Sequence, residues 1–269
     1  MLRDRLDVSE RWACRVVGQH RSTQRHEPRA PAVDDAALRE QLRAIAGRKK
    51  RWGYRRAHAH LRENGWRVNR KRVQRLWREE GLRVVAPRAR KRRRTGDPGA
   101  PWLRAERPNQ LWALDFQYDQ TADGRMLRLL NVVDEFTREA LIMQVGRSIT
   151  AEQTVAALEA LVAQRGCPEN IRCDNGPELT ANALRDFCRE AAVTMSYIEP
   201  GAPWQNPFAE SFNARVRDEL LNLEEFSCLT EARVLTEDWR QDFNREHPHS
   251  ALEMKSPAAF AAAWTQAAA

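Results

Sequence analysis

The sequence predicts a mixed α/β domain preceded by a small all-α domain. Before residue 86 the apolar residues recur at helical spacing, and after residue 109 short apolar runs alternate with helices in the order β-β-β-α-β-α-β-α. Three successive strands indicate a meander, and the strand–helix–strand units that follow add parallel strands. The expected fold is therefore one mixed five-stranded sheet with helices on its faces.

Charge divides the chain at the same place. Residues 1–108 contain 31 Lys/Arg and 12 Asp/Glu, a net charge of +19, whereas residues 109–269 carry −11 of the overall +8. A strongly basic part attracts a polyanion, and the acidic part concentrates carboxylates. Composition predicts four segments: a basic N-terminal segment 1–33, a helix-turn-helix domain 34–85, a basic linker 86–108 containing Pro and Gly, and the α/β domain with its helical tail, 109–269.

Three helices are predicted in the second segment. The first begins near Asp34, the second spans Tyr54 to Glu63, and the third follows Asn69 as its cap and ends before Gly81. A basic third helix after a short turn is typical of the helix-turn-helix, where it enters the major groove. A solvated basic helix is the alternative. The candidate DNA contacts on this helix are Arg70, Lys71, Arg72, Arg75 and Arg78.

The linker contains five consecutive basic residues. Such a run repels itself and has no means of packing, so it is interpreted as a strap for DNA phosphates or as a solvated tether. Its residues are Arg90, Lys91, Arg92, Arg93 and Arg94.

Three carboxylates stand at the strand ends and helix start of the α/β domain. Asp115 ends a short apolar run, Asp174 ends another, and Glu210 follows after 35 intervening residues, in the first turn of a helix. Asn206 is the predicted cap of that helix, and Pro207 suits its first position. Three converging carboxylates suit hard divalent cations, and two ions about 3.5–4 Å apart stabilise both the attacking and leaving oxygens of a phosphodiester.

These motifs resemble a known family. The segments WALDF, RCDNGPE and NPFAESFNARVRDELLN, with their 35-residue gap, are similar to the DDE catalytic core of retroviral integrases and bacterial transposases. The stretch KKRWGYRRAHAHLRENGWRVNRKRVQRLWREEGL resembles the helix-turn-helix of insertion-sequence transposases of the OrfB type, and FNREHPHSAL followed by SPAAF resembles that group's C-terminal signature. The resemblance covers almost the whole chain.

The resemblance implies a ribonuclease-H-like integrase core. Asp115, Asp174 and Glu210 would bind Mg²⁺ or Mn²⁺, as two ions. Water would cleave the element end, and the freed 3′-OH would then attack a second phosphodiester in strand transfer. Arg217 falls where the family keeps a basic residue, for a DNA phosphate near the metals.

Further residues and partners follow from the resemblance. Asn175 and Gly176 would shape the turn after Asp174, and Asn213 would support Glu210. The family usually has Arg where His247 stands and Gly where Glu253 stands, which puts the C-terminal contacts in doubt. The implied partners are double-stranded DNA, further copies of the chain, and a protein from the upstream reading frame (OrfA).

Other interpretations remain open. A DNA-binding regulator derived from a transposase would lack the chemistry, and a nuclease of the same fold would cut without joining. A zinc site built on histidine pairs is only weakly indicated by the sequence, because the five cysteines form no CxxC spacing. Asp134 also ends an apolar run and is interpreted as a turn residue. Unpaired cysteines, a charged N-terminus and no membrane-length apolar run indicate a bacterial cytoplasmic protein without membrane partners.

Overall fold

A computed structural model describes residues 8–25, 33–83, 103–174, 176, 179, 181–198 and 205–268. The predicted phosphate strap Arg90–Arg94 and Asn175 lie outside these residues. The chain divides into two compact units, Met1–Ala44 and Ile45–Ala269. In the described part of the chain, no helix has both the length and the apolar character needed to cross a membrane.

The helical region contains five helices within residues 8–25 and 33–83. Two short ones, α1 (Glu10–Val16) and α2 (Arg21–Gln24), precede the three predicted ones, α3 (Val33–Arg48), α4 (Tyr54–Glu63) and α5 (Arg70–Glu79). The bounds of α4 are those that the sequence predicts. The side chain of Asn69 accepts a hydrogen bond from the backbone N–H of Lys71 at 2.8 Å, which confirms it as the cap of α5.

The sheet has the predicted mixed topology. Its strands lie in the order β3-β2-β1-β4-β5, with β1 antiparallel to β2, β2 antiparallel to β3, and β4 parallel to both β1 and β5. The strand bounds are β1 Leu111–Gln120, β2 Met126–Asp134, β3 Ala140–Gly146, β4 Asn170–Cys173 and β5 Thr194–Tyr197.

Helices cover both faces of this sheet. One buried cluster joins Trp112, Leu114 and Ile171 to α6 (Ala151–Arg165) and α7 (Asn182–Glu190). The other joins β2 and β3 to α8 (Pro207–Val216) and α9 (Leu229–Glu246), and a terminal helix α10 spans Pro257–Ala268. α8 runs directly into a π-helical turn, Arg217–Leu221.

Candidate active site

Asp115 lies on the sheet face that α8 covers. Because side chains alternate along a strand, Leu114 and Phe116 point into the cluster under α6, and Asp115 points the other way. In the β1–β2 register Asp115 stands opposite Asn131, the one amide residue of β2. The strand pattern therefore places one acidic and one amide side chain together beneath α8.

Asn213, on α8, joins these two side chains. Its Nδ2 donates to Asp115 Oδ2 at 2.8 Å, and its Oδ1 accepts from Asn131 Nδ2 at 2.7 Å. Gln117 adds a bond from its Nε2 to the carbonyl of Asn213 at 3.0 Å. The sequence predicts that Asn213 supports Glu210; in the structure its amide holds Asp115.

Asp174 follows β4 directly and lies beside Asp115. The parallel register pairs Ala113 with Arg172, and two further residues along both strands bring Asp115 level with Asp174. The backbone N–H of Gly176 donates to Asp174 Oδ1 at 3.0 Å. A Cβ at Gly176 would lie 3.1 Å from that oxygen, so a side chain there would press on the carboxylate.

Glu210 lies in the first turn of α8, as the sequence predicts, with Pro207 at the helix start. Its backbone N–H donates to the carbonyl of Asn206 at 3.1 Å. Asn206 occupies the cap position, but its side chain makes no capping bond and donates instead to the carbonyl of Leu114 at 3.2 Å. The predicted side-chain cap is wrong, because this buried amide satisfies a carbonyl of β1 and so fastens α8 to the strand that carries Asp115.

The three carboxylates act on one another electrostatically. Burial, then the negative charge of Asp174 and that of Glu210, raise the pKa of Asp115 to about 6, against the hydrogen bonds from Phe116 and Asn213. Within the described residues, no three His, Cys, Asp or Glu side chains are gathered tightly enough to hold one ion. The arrangement is thus a half-buried group of carboxylates whose mutual repulsion a cation would relieve.

Comparison with known proteins identifies the family. Residues 105–203 and 191–257 match the family Integrase core domain, and residues 33–92 match HTH-like domain. The chain is 39% identical to the uncharacterized 31.7 kDa protein of insertion element IS407 from Burkholderia multivorans, over 97% of this chain and 93% of that protein. It belongs to the insertion-sequence transposases of the OrfB type.

Two further similarities agree with this assignment. The uncharacterized 39.2 kDa protein of insertion element IS476 from Xanthomonas euvesicatoria is 40% identical, over 95% of this chain and 73% of that protein. A chain of the simian T-cell lymphotropic virus intasome in complex with PP2A regulatory subunit B56 gamma has a TM-score of 0.50 at 16% identity, covering 82% of this chain and 74% of that one. The latter shows that the fold is shared.

In this transposase, Arg217 lies at the far end of α8 and not beside Glu210. It donates to the carbonyl of Tyr118, and its Nη1 lies 3.5 Å from Asp119 Oδ2. α8 and its two flanking residues, Asn206 and Arg217, thus run along β1, and their hydrogen bonds and ion pair reach from Leu114 to Asp119. The side chain of Arg217 remains 42% exposed, so it keeps a solvent-facing side.

The basic residues of α5 lie around its buried side. Val73, Leu76 and Trp77 are buried, so the remaining positions face outward. Arg75 pairs with Glu79 at 3.0 Å, on an exposed helix face. Among the five candidate DNA contacts, four are exposed and one is half-buried. The exposed ones are Arg70, Lys71, Arg75 and Arg78, and the half-buried one is Arg72.

Asp134 is confirmed as a turn residue. It is fully buried, and its carboxylate accepts hydrogen bonds from the backbone N–H groups of Asn109, Phe136 and Thr137 at 2.7–2.8 Å. The bonds from Phe136 and Thr137 close the β2–β3 turn, and the bond from Asn109 ties that turn to the segment before β1.

Sequence reasoning missed two groups of residues around this site. The first is the pair of amide residues Gln117 and Asn131, for which the available signal is that Asn131 is the one amide of β2, between the apolar residues Leu130 and Val132. The second is Glu219, in the π-helical turn after α8. Its Oε1 accepts from Arg56 Nη1 of α4 at 2.8 Å and from Arg215 at 3.1 Å, and lies 3.3 Å from His247 Nε2.

Proposed function

We propose that this transposase catalyses metal-dependent cleavage at insertion-element ends, followed by strand transfer, with Asp115, Asp174 and Glu210 as its metal ligands. The observation that carries the proposal is geometric. The β1–β4 register brings Asp115 level with Asp174, and the charges of Asp174 and Glu210 both raise the pKa of Asp115, which supports their facing one common site. Family membership supports the reaction class.

The donor set fits Mg²⁺ or Mn²⁺. All three side chains are carboxylates, which are the ligands of hard cations, and repulsion between them is the usual sign of a site that takes positive charge. Two bound ions would activate the attacking oxygen and neutralise charge at the scissile phosphate.

The surrounding residues have positioning roles in this proposal. Asn213 fixes Asp115 through one end of an amide whose other end is held by Asn131. Gly176 holds Asp174 with its backbone N–H and leaves room for the carboxylate because it lacks a Cβ. Hydrogen bonds from neighbouring residues to a metal ligand keep that ligand in one orientation.

DNA is the proposed substrate for both domains. The exposed basic face of α5 supports major-groove binding by segment 34–85, and the +19 charge of residues 1–108 supports phosphate binding, including by Arg90–Arg94. Arg217 would contact DNA beyond the end of β1. Assembly as a multimer and pairing with the upstream-frame protein remain family-based proposals.

The test uses a labelled duplex of the parent element's terminal repeat, with Mg²⁺ or Mn²⁺, in the presence and absence of the upstream-frame protein. Nicking at the element end and longer joined products are expected for the wild type. Glu210→Gln should remove both and leave DNA binding intact, since it changes a charge and not the shape of α8. Glu225→Gln, at an exposed position outside the site, is the matched control.

Two other outcomes would replace the proposal. Cleavage without joined products, in every combination of metal and partner, would indicate a hydrolytic nuclease of the same fold. Repeat binding with neither product would indicate a DNA-binding regulator.

A further inference from the structure

A cavity of about 500 Å³ lies against α8, next to the β2–β3 turn and the residues after α9. Three arginines and one histidine line it, and none of the lining residues that the structure describes is acidic. Its remaining wall is mainly apolar and aromatic, including Phe208 and Phe212. The arginines are Arg104, Arg138 and Arg215, and the histidine is His249.

Arg138 is the unsatisfied group in this cavity. Its Nε and Nη1 are buried without a hydrogen-bond partner among the described residues, and its guanidinium carbon lies 3.8 Å from the ring centroid of Phe208. Burial lowers its pKa to about 10, against the negative charges of Glu135 and Asp134, so the group stays charged at neutral pH. Buried donors of a cation are costly unless an acceptor meets them.

Arg138 belongs to the β2–β3 turn. Its φ is +64°, in the left-handed region that non-glycine residues seldom adopt, and its backbone N–H donates to the carbonyl of Asp134 at 2.9 Å. From this turn the side chain lines the cavity and lies over Phe208.

The cavity's chemistry selects the class of ligand. Its volume is within the range of about 300–1,000 Å³ typical of small-molecule sites, which is far more than a lone anion needs. Arginine forks bind phosphate oxygens, and apolar aromatic walls accept the faces of nucleobases. We propose that this cavity holds one unpaired nucleotide of a DNA strand, with its phosphate on Arg138 and its base in the apolar part beside Phe212.

This site would lie on the opposite side of α8 from the carboxylates. Phe208, Phe212 and Arg215 form one stripe of the helix, whereas Asn213 and Arg217 form the stripe that contacts β1. A nucleotide bound here would anchor a strand end close to the turn that carries Glu210. Only the choice of DNA as the source of the nucleotide rests on the proposed function.

The test is calorimetric binding of a 5′-phosphorylated dinucleotide to the full chain without divalent metal. One site is expected, and Arg138→Gln should weaken binding by about 10–100-fold, because hydrogen bonds to a charged group are lost. Arg104→Gln should weaken binding by a few-fold. This variant leaves the buried guanidinium of Arg138 in place, so it provides the test if Arg138→Gln unfolds. Arg185→Gln, an exposed arginine of α7, should bind like the wild type.

Competing ligands decide the chemical class. An unphosphorylated dinucleoside and inorganic phosphate should each bind at least ten-fold more weakly than the phosphorylated dinucleotide. Equal binding of inorganic phosphate, tighter binding of the acidic dipeptide acetyl-Glu-Phe, no binding at all, or an equal loss in Arg185→Gln would each overturn the proposal. Binding retained in Glu210→Gln separates this site from the proposed catalysis.

Discussion

Asn213 holds Asp115 by a 2.8 Å hydrogen bond and is itself held by Asn131 at 2.7 Å. Because both ends of the amide are engaged, its orientation is fixed, and so is the carboxylate oxygen it contacts. Asn213→Ala should reduce end cleavage by about 10–100-fold, the usual cost of losing a contact that orients a metal ligand. Repeat binding should be unchanged, as measured by gel shift beside the cleavage assay.

The control for this prediction is Asn222→Ala, since Asn222 is an exposed amide just after the π-helical turn. It should cleave at the wild-type rate. If Asn213→Ala cleaves equally well at every metal concentration, Asn213 does not position Asp115.

Gly176→Ala should lower cleavage by crowding Asp174. The new Cβ would lie 3.1 Å from Asp174 Oδ1, so the carboxylate has to move by a few tenths of an ångström. We expect at least a ten-fold loss at limiting metal, partly recovered at high Mn²⁺, because misplacement of a reacting group by about 1 Å costs about a hundred-fold. The measurement is the cleavage rate over a metal titration.

Gly47→Ala is its matched control. Gly47 lies within α3, where an added Cβ meets nothing within 4 Å, so alanine should stabilise the helix and leave the metal dependence unaltered. A shifted metal dependence in both variants would mean that the effect of Gly176→Ala is not local.

Most of the fold was predictable because clear signals mark where its elements end. The bounds of α4 were predicted correctly because Asn64-Gly65 ends it, with φ at Gly65 of +83°, and Asn69 starts the next helix. By contrast, the sequence pattern predicts a last long helix from about Glu231 to Asn244, whereas α9 begins two residues earlier, at Leu229. The sulfur of Cys228 accepts from the N–H of Glu231 at 3.5 Å, and cysteine is not a residue that signals a cap.

The candidate site was predictable only in part. Glu210 and Asp174 are marked by their own motifs, which are local in sequence. The bond from Asn213 to Asp115 joins residues 98 positions apart, and it depends on how α8 packs along β1. That packing also redirects Asn206 from the helix cap to the carbonyl of Leu114, which no local pattern signals.

Glu219→Gln should destabilise the protein by about 2–4 kcal/mol, because it leaves the mostly buried cation of Arg56 and the half-buried one of Arg215 without their counter-charge. Its Oε1 contacts Arg56, Arg215 and His247, and its side chain is only 8% exposed. Burial by itself would raise the pKa of Glu219, but the hydrogen bond and charge of His247 and the charges of both arginines hold it below its usual value. The free energy of unfolding in urea measures the loss.

Glu225→Gln controls for removing an acidic residue nearby. Glu225 is exposed, so its effect should stay within about 0.5 kcal/mol. Equal effects of the two substitutions would show that the contact between α4 and the π-helical turn adds no stability.

Acid should destabilise the protein through two histidines after α9. Burial, His247 and nearby arginines lower the pKa of His249 to about 4, and burial also lowers that of His247. In the unfolded chain these histidines have a pKa of about 6.5, above their pKa in the folded chain. The unfolded chain therefore takes up more protons than the folded one as pH falls. Stability is therefore full above about pH 6.5 and lost toward pH 4. His249→Asn should make this slope shallower in unfolding measured across that range, whereas His20→Asn, at an exposed position, should not.

Glu253→Gly should stabilise the protein, by about 0.5–1 kcal/mol. Glu253 has φ of +55° at the end of the short 3₁₀ turn Ser250–Leu252, and this left-handed backbone is where glycine avoids a steric cost that other residues carry. The side chain of Glu253 is 86% exposed, so little contact is lost with it. The free energy of unfolding is the measurement, with Glu225→Gly as the control that should not stabilise. A lower stability for Glu253→Gly than for the wild type would mean that the flexibility glycine adds to the unfolded chain outweighs the strain it relieves.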